Sequence, residues 1–177
     1  MIKVIKAIIF DLNGIFIQSD YLSDRIEKEY NLSKDKFIPA LKEIMGKARK
    51  PGVPDSFVLW KPYLKEWNLN LPKSQFFSFW FSGEHLVQNA VVYSQELRDY
   101  GLDVFIISNN FKERADYYQE HFPILFSTVT NIYFSQQTGF VKPEPQAFLQ
   151  ILTENILQPH QCIYFDDAME NVLAARK

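Results

Sequence analysis

The chain has 177 residues, enough for one domain or for a domain with a modest insertion, and its 47% hydrophobic and 23% charged residues exclude a disordered or fibrous protein. Its 19 Lys and Arg against 21 Asp and Glu give a net charge of −2, without the basic excess that nucleic-acid binding calls for, so no nucleic-acid partner is expected. The single cysteine, Cys162, excludes an internal disulfide framework and a Cys-based zinc cluster, and makes a cytoplasmic location the expectation.

In chain order, Met1-Ile2-Lys3-Val4-Ile5-Lys6-Ala7 carries charges where a signal peptide needs its apolar centre, so the first residues are assigned to the fold. No apolar run approaches the ~18 residues that would span a bilayer, and no membrane partner is expected. Val4 to Phe10 reads as a buried strand that stops at the polar turn Asp11-Leu12-Asn13-Gly14. Gln18 to Gln88 shows no strand alternation and several helical signals. Leu22, Ile26 and Tyr30 recur at helical spacing, and Phe37, Leu41 and Ile44 follow a Ser33 N-cap. Pro72 and Gly83 bracket a helix carrying Phe76, Phe77, Phe79, Trp80 and Phe81. These aromatics are read as the insert's core and its seam with the rest rather than as a ligand box. Gly46 to Gly52, which contains Lys47, Arg49 and Lys50, is read as a solvated basic turn in preference to a contact with a substrate anion.

From Ala90 the pattern alternates. A helix to Tyr100 is closed by Gly101, a strand from Val104 to Ile107 breaks at Ser108-Asn109-Asn110, and a helix from Phe111 to His121 precedes Pro123. After a short apolar segment, Val141-Lys142-Pro143-Glu144-Pro145 opens a helix through Ile156, because proline suits a helix's first turn. Cys162 to Phe165 is then predicted as a buried strand ending at Asp166-Asp167, followed by a helix that runs to the chain end. Three strands thus each end in a polar cluster. The class expected is α/β, a doubly wound and mostly parallel Rossmann-like core formed by 1–17 and 89–177, with a helical cap inserted over 18–88.

In an open parallel sheet the turns beyond the carboxyl ends of the strands share one crevice. Asp11, Asn13, Ser108, Asn109, Asp166 and Asp167 would therefore meet, with Lys142 in reach. Oxygen ligands without His or Cys suit Mg²⁺, and a hydroxyl, an amide and a lysine suit a phosphate. Taken singly, each cluster has an ordinary reading as a tight turn, a helix cap or an exposed loop. His85, His121 and His160 show no ligand spacing and receive no role, and Cys162 is read as an inert core residue.

Asp11-Leu12-Asn13-Gly14, Ser108-Asn109, Lys142-Pro143 and Asp166-Asp167 with Asn171 resemble the four ordered motifs of the haloacid dehalogenase superfamily, over essentially the whole chain. The insert is similar to the C1-type helical cap of its small-molecule phosphatases. The resemblance implies a Mg²⁺-dependent phosphohydrolase acting on a small phosphorylated metabolite. Asp11 would be the nucleophile that forms an aspartyl-phosphate; Asp11, Asp167 and the main-chain carbonyl of Asn13 would be metal ligands, with Asp166 a second acidic ligand or water anchor. Ser108, Asn109 and Lys142 would contact the transferring phosphoryl group. Asn13 departs from the family pattern, which has an acid–base Asp there; losing a positioned acid–base typically costs about 10² to 10⁴ in rate. A catalytically silent protein that binds a phosphorylated ligand or a partner is the alternative, and a dehalogenase, which needs no Asp pair, is third. Relatives usually continue past the last helix, so self-association along an open sheet edge or a further C-terminal segment is also expected.

Overall fold

The computed structural model describes residues 4–176; residues 1–3 and 177, included above in the core, lie outside the described residues. Strand β1 (Ala7–Phe10) is followed by a short strand β2 (Ile17–Ser19) and four helices, α1 (Leu22–Tyr30), α2 (Lys34–Ala48), α3 (Phe57–Glu66) and α4 (Lys73–Phe81). The chain returns through β3 (Glu84–Leu86) to α5 (Gln88–Asp99), β4 (Asp103–Ser108), α6 (Lys112–His121) and α7 (Pro123–Thr128). It ends with β5 (Asn131–Phe134), α8 (Ser135–Thr138), α9 (Pro145–Glu154), β6 (Cys162–Phe165) and α10 (Met169–Ala175). No helix among the described residues is long and apolar enough to cross a membrane.

The main sheet is all parallel, in the order β5-β4-β1-β6. Alternation along β1 and β4 sends Ile8, Phe10, Val104 and Ile106 to one face and Ala7, Ile9, Phe105 and Ile107 to the other. The first set packs with Val91, Ala115, Tyr118 and Leu125 from α5, α6 and α7, and the second with Ala147, Phe148 and Ile151 of α9. Helices therefore cover both faces, which is why the central strands read as unbroken apolar runs.

The insert has its own core. Trp60 is fully buried, stacked on Phe37 at 5.7 Å and edge-on to Trp80 at 5.7 Å, with Phe76 at 4.9 Å. Phe111, beside α6, joins this cluster through Phe77, Phe81 and Trp80, so the aromatic run is both core and seam.

Several expectations are corrected. β2 and β3 form an antiparallel ribbon at the entry to and exit from the segment predicted to lack strands; three residues apiece are too few to show an alternation. The apolar segment after Pro123 contains a further strand, β5, and makes the sheet four-stranded. β6 is an edge strand rather than a buried one, with Ile163 40% and Phe165 48% exposed and Cys162 half-buried. The basic turn is shorter than expected: Gly46 to Ala48 lie within α2, residues 49–52 form an exposed turn at Lys50, Pro51 and Gly52, and Arg49, which caps the helix, is half-buried.

Trp60 fills the middle of the insert while its indole N–H finds no acceptor among the described residues. Trp60→Ala is therefore expected to cost about 3 to 5 kcal/mol of stability in urea unfolding. Trp60→Phe should cost much less, because it removes an unpaired buried donor along with the lost contacts.

Candidate active site

The polar clusters converge at the carboxyl ends of the strands. Asp11 is the first residue beyond β1, and its N–H donates to the Phe165 carbonyl at 2.8 Å, which brings Asp11 level with Asp166 beyond β6. Strand order reverses between β1 and β6, so the connections leaving them diverge and open a crevice at that point. Gly14 has φ +91°, and a Cβ there would lie 2.8 Å from the Asp167 Oδ2. Only glycine combines that backbone with so close an approach of the two turns.

Lys142 fills the space between the carboxylates. Its side chain is 2% exposed, and Nζ lies 2.7 Å from Asp11 Oδ1 and 2.6 Å from Asp166 Oδ2. Asn109 clasps its peptide on both sides: Lys142 N–H donates to Asn109 Oδ1 at 2.8 Å, and Asn109 Nδ2 donates to the Lys142 carbonyl at 2.7 Å. The Asn109 carboxamide is thus engaged with Lys142 rather than turned to a phosphoryl group. Ser108 ends β4, 2% exposed, and its hydroxyl has no hydrogen-bond partner among the described residues.

Asp166 is heavily committed. Its Oδ2 accepts from Lys142, from the Tyr164 hydroxyl and from Asn171 Nδ2 at 3.0 Å, and its Oδ1 from the Ala168 N–H at 2.7 Å. These donors make Asp166 an anchor for Lys142 through Oδ2, while among the described residues its Oδ1 accepts only from the Ala168 N–H. Asp11, Asp166 and Asp167 each nevertheless present an oxygen within 4.8 Å of the others, and Asp167 is exposed to the crevice. Three carboxylates against one lysine leave a surplus of negative charge, which fits a divalent cation held by oxygen ligands.

Asn13 is tied into a second network. Its Nδ2 donates to the Tyr118 hydroxyl at 3.0 Å, which donates to Glu84 Oε2 at 2.9 Å. Ser19 Oγ donates to the same oxygen at 2.6 Å, and Arg114 pairs with Glu84 Oε1 at 2.6 Å. His85, His121 and His160 are all exposed and outside both networks.

Sequence reasoning missed Tyr164, Tyr118, Glu84 and Arg114. Tyr164 lies two residues before Asp166 and so shares its side of the strand, a parity signal that was readable. The other three are joined only by the fold. Arg49, read as solvated, lies against the Asn110 and Ser135 loops, its carbonyl accepting from Ser135 Oγ at 2.8 Å.

The site is thus a parallel α/β sheet with carboxylates and a buried lysine gathered at its switch point. A family model described as haloacid dehalogenase-like hydrolase matches residues 5–177, and the chain belongs to that family. It is similar in structure to a HAD family enzyme from Bacteroides thetaiotaomicron, with a TM-score of 0.84 and 20% identity over 98% of this chain and 89% of that one. The wild-type protein of that enzyme in complex with magnesium and inorganic phosphate matches with a TM-score of 0.80 and 19% identity over 97% and 89% of the two chains. An L-2-haloacid dehalogenase from Xanthobacter autotrophicus matches with a TM-score of 0.69 and 16% identity over 98% and 74%.

The two carboxyls that share Lys142 titrate in opposite senses. Burial pushes Asp11 up, and Lys142 recovers only part of that shift. Burial would push Asp166 up as well, but the hydrogen bonds from Lys142, Tyr164 and Ala168 hold it below its ordinary value of 3.8. A depressed folded value means that ionised Asp166 stabilises the fold above the unfolded value and stops doing so as the pH falls through the folded one. Thermal unfolding from pH 7 downwards should therefore show an acid limb of falling Tm below about 3.8, and Asp166→Asn should flatten it.

Proposed function

We propose that the protein is a Mg²⁺-dependent phosphohydrolase that acts on a small phosphorylated metabolite through an aspartyl-phosphate on Asp11. The observation that carries this reading is the convergence of Asp11, Asp167 and a buried Lys142 at the switch point between β1 and β6. Residues 18–88 are the cap that covers the crevice, and the cytoplasm is the compartment. Asp11, Asp167 and the main-chain carbonyl of Asn13 would hold the ion, with Asp166 a second acidic ligand or water anchor. When bound, Mg²⁺ offsets the repulsion between the Asp11 carboxylate and an anionic phosphoryl group. The complex of the Bacteroides enzyme with magnesium and inorganic phosphate supports magnesium as the ion and a phosphoryl group as its companion.

An oxygen of Asp11 attacks phosphorus, and the bond from phosphorus to the leaving oxygen breaks with its electron pair. Lys142 keeps Asp11 oriented and balances charge, Ser108 donates to the phosphoryl oxygen, and Asn109 holds the Lys142 backbone in place. The leaving oxygen takes its proton from solvent, because the Asn13 amide has none to give near neutral pH. Water then attacks phosphorus, the bond to Asp11 breaks, and inorganic phosphate leaves. That second step also lacks a base, so the phosphoenzyme outlasts its formation.

A second reading, a phospholigand- or partner-binding protein without turnover, is favoured by the Tyr118 hydroxyl bound to the Asn13 carboxamide. The dehalogenase reading is disfavoured by the acidic trio.

Metal binding is checked by thermal shift. Millimolar Mg²⁺ should raise Tm, since a ligand bound only by the folded state stabilises it, and Asp167→Ala should remove that rise. An equal shift in both proteins excludes the ligand assignment.

Turnover separates the two readings. With an acyl or aryl phosphate, whose leaving group needs no proton, the wild type should accumulate acid-stable phosphate on Asp11, visible by mass spectrometry. Asn13→Asp should raise steady-state turnover by about 10², and Asp11→Asn should abolish it. The same spectra of residue 13 control for spontaneous deamidation of Asn13-Gly14. Background activity in Asn13→Asp across a broad phosphate panel would favour the binding protein.

A further inference from the structure

Two arginines face the crevice between the insert and the sheet domain, and only one of them is neutralised. Arg114 has Glu84 and Ser19 as partners, at 2.6 Å and 3.0 Å. Arg49 has no carboxylate within ion-pair distance among the described residues, and its buried Nε–H has no acceptor. Glu84, the buried carboxylate on this side, is already shared by Arg114, Ser19 and Tyr118. Burial and the neighbouring Arg114 both push the Arg49 guanidinium down, opposed by Asp11, yet a guanidinium stays charged in proteins.

Arg49 is half-buried, and a buried donor left without an acceptor, as its Nε–H is, costs stability unless a ligand supplies one. The backbone that carries the guanidinium is held, because Ser135 Oγ donates to the Arg49 carbonyl and Arg49 caps α2. The space in front of it is a cavity of about 410 Å³ whose walls carry three cations, Lys42, Arg49 and Arg114, against two carboxylates, of which Glu84 is paired with Arg114 and Asp20 lies 3.7 Å from His85. Lys42, Met45, Gly46 and Arg49 stand at helical spacing on one face of α2, so Lys42 and Arg49 address the same space. A cavity of this volume suits a small metabolite.

We propose that Arg49, with Lys42 at the rim, binds a second oxyanion on the organic part of the substrate, so that the preferred substrates are phosphate esters bearing a further carboxylate or phosphate. This rests on Asp11 as the site of the transferring phosphoryl group. The planar guanidinium suits either oxyanion through two parallel N–H donors, and its weaker hydration makes burial less costly than for a lysine.

The test uses three propyl phosphate esters that differ only at the far carbon: a hydroxyl, a carboxylate or a second phosphate. Their Kd values are measured by calorimetry with Mg²⁺, alongside kcat/KM. One charge-assisted interaction in a desolvated site predicts that the wild type binds one or both of the charged-tail esters about 10-fold or more tightly than the hydroxyl ester. Which of the two is tighter tells carboxylate from phosphate. Arg49→Gln should bring that ratio to near unity, and Arg49→Lys should keep part of it. Equal binding of all three esters by the wild type overturns the inference, as does an unchanged ratio in Arg49→Gln. If Arg49→Gln fails to fold, Arg49→Lys and the wild-type series still decide it. Absence of turnover with every ester would defeat the hydrolase reading alone, since the binding ratio is read independently of chemistry.

Discussion

The site is organised by one buried ammonium. Lys142 Nζ sits between Asp11 and Asp166, and without a cation there the two carboxylates could not both remain ionised. Lys142 comes from a loop 131 residues away from Asp11 in sequence, so its position has to be enforced. Asn109 does this from the main chain, by holding the peptide of Lys142 on both sides. Tyr164, Asn171 and the Ala168 N–H do it from the other end, by fixing Asp166. Turns beyond three strands and one loop are thereby joined at a single point. The energetic logic is that of a buried ion pair. Its net worth over an apolar substitute is small, but removing one partner leaves a charge stranded, so the geometry is strongly specified.

The Asn13 network joins the same site to the insert. Glu84 belongs to the ribbon through which the chain leaves the four helices, Ser19 to the ribbon through which it enters, and Tyr118 and Arg114 to a helix packed on the sheet. Closing these groups on one another ties the ribbon at the root of the insert to α6. An amide at position 13 suits the network, since it gives Tyr118 a donor while the Tyr118 proton goes to Glu84. A carboxylate there would compete with Glu84 for the single hydroxyl proton. The departure from the family pattern at Asn13 therefore has a structural counterpart, beyond the loss of a proton donor.

Much of the fold was readable because it rests on local chemistry. β1 and the Val104–Ile107 stretch of β4 are apolar at every position, Gly101 ends α5 with φ +83°, and Pro145 opens α9. β5 escaped because its four residues, Asn131 to Phe134, begin with a polar side chain and follow a short helix without a turn signal. The β2–β3 ribbon escaped because pairing across 65 residues between Ser19 and Glu84 leaves no trace in either segment alone. Arg49 was misjudged for a similar reason. A basic, glycine-flanked stretch looks solvated until the end of α2 is seen docked against Ser135.

Sequence alone determined the class, the parallel order of polar turns and the set of residues that could meet, because strand ends, caps and glycine turns are properties of a few neighbouring residues. Only the tertiary structure decided what each of them does. It turned Asn109 to Lys142, engaged Asp166 as an anchor, tied Asn13 to Tyr118 and left Arg49 without a counter-charge. Those outcomes depend on which donor lies within about 3 Å of which acceptor, and distance between residues remote in sequence is set by packing, not by order along the chain.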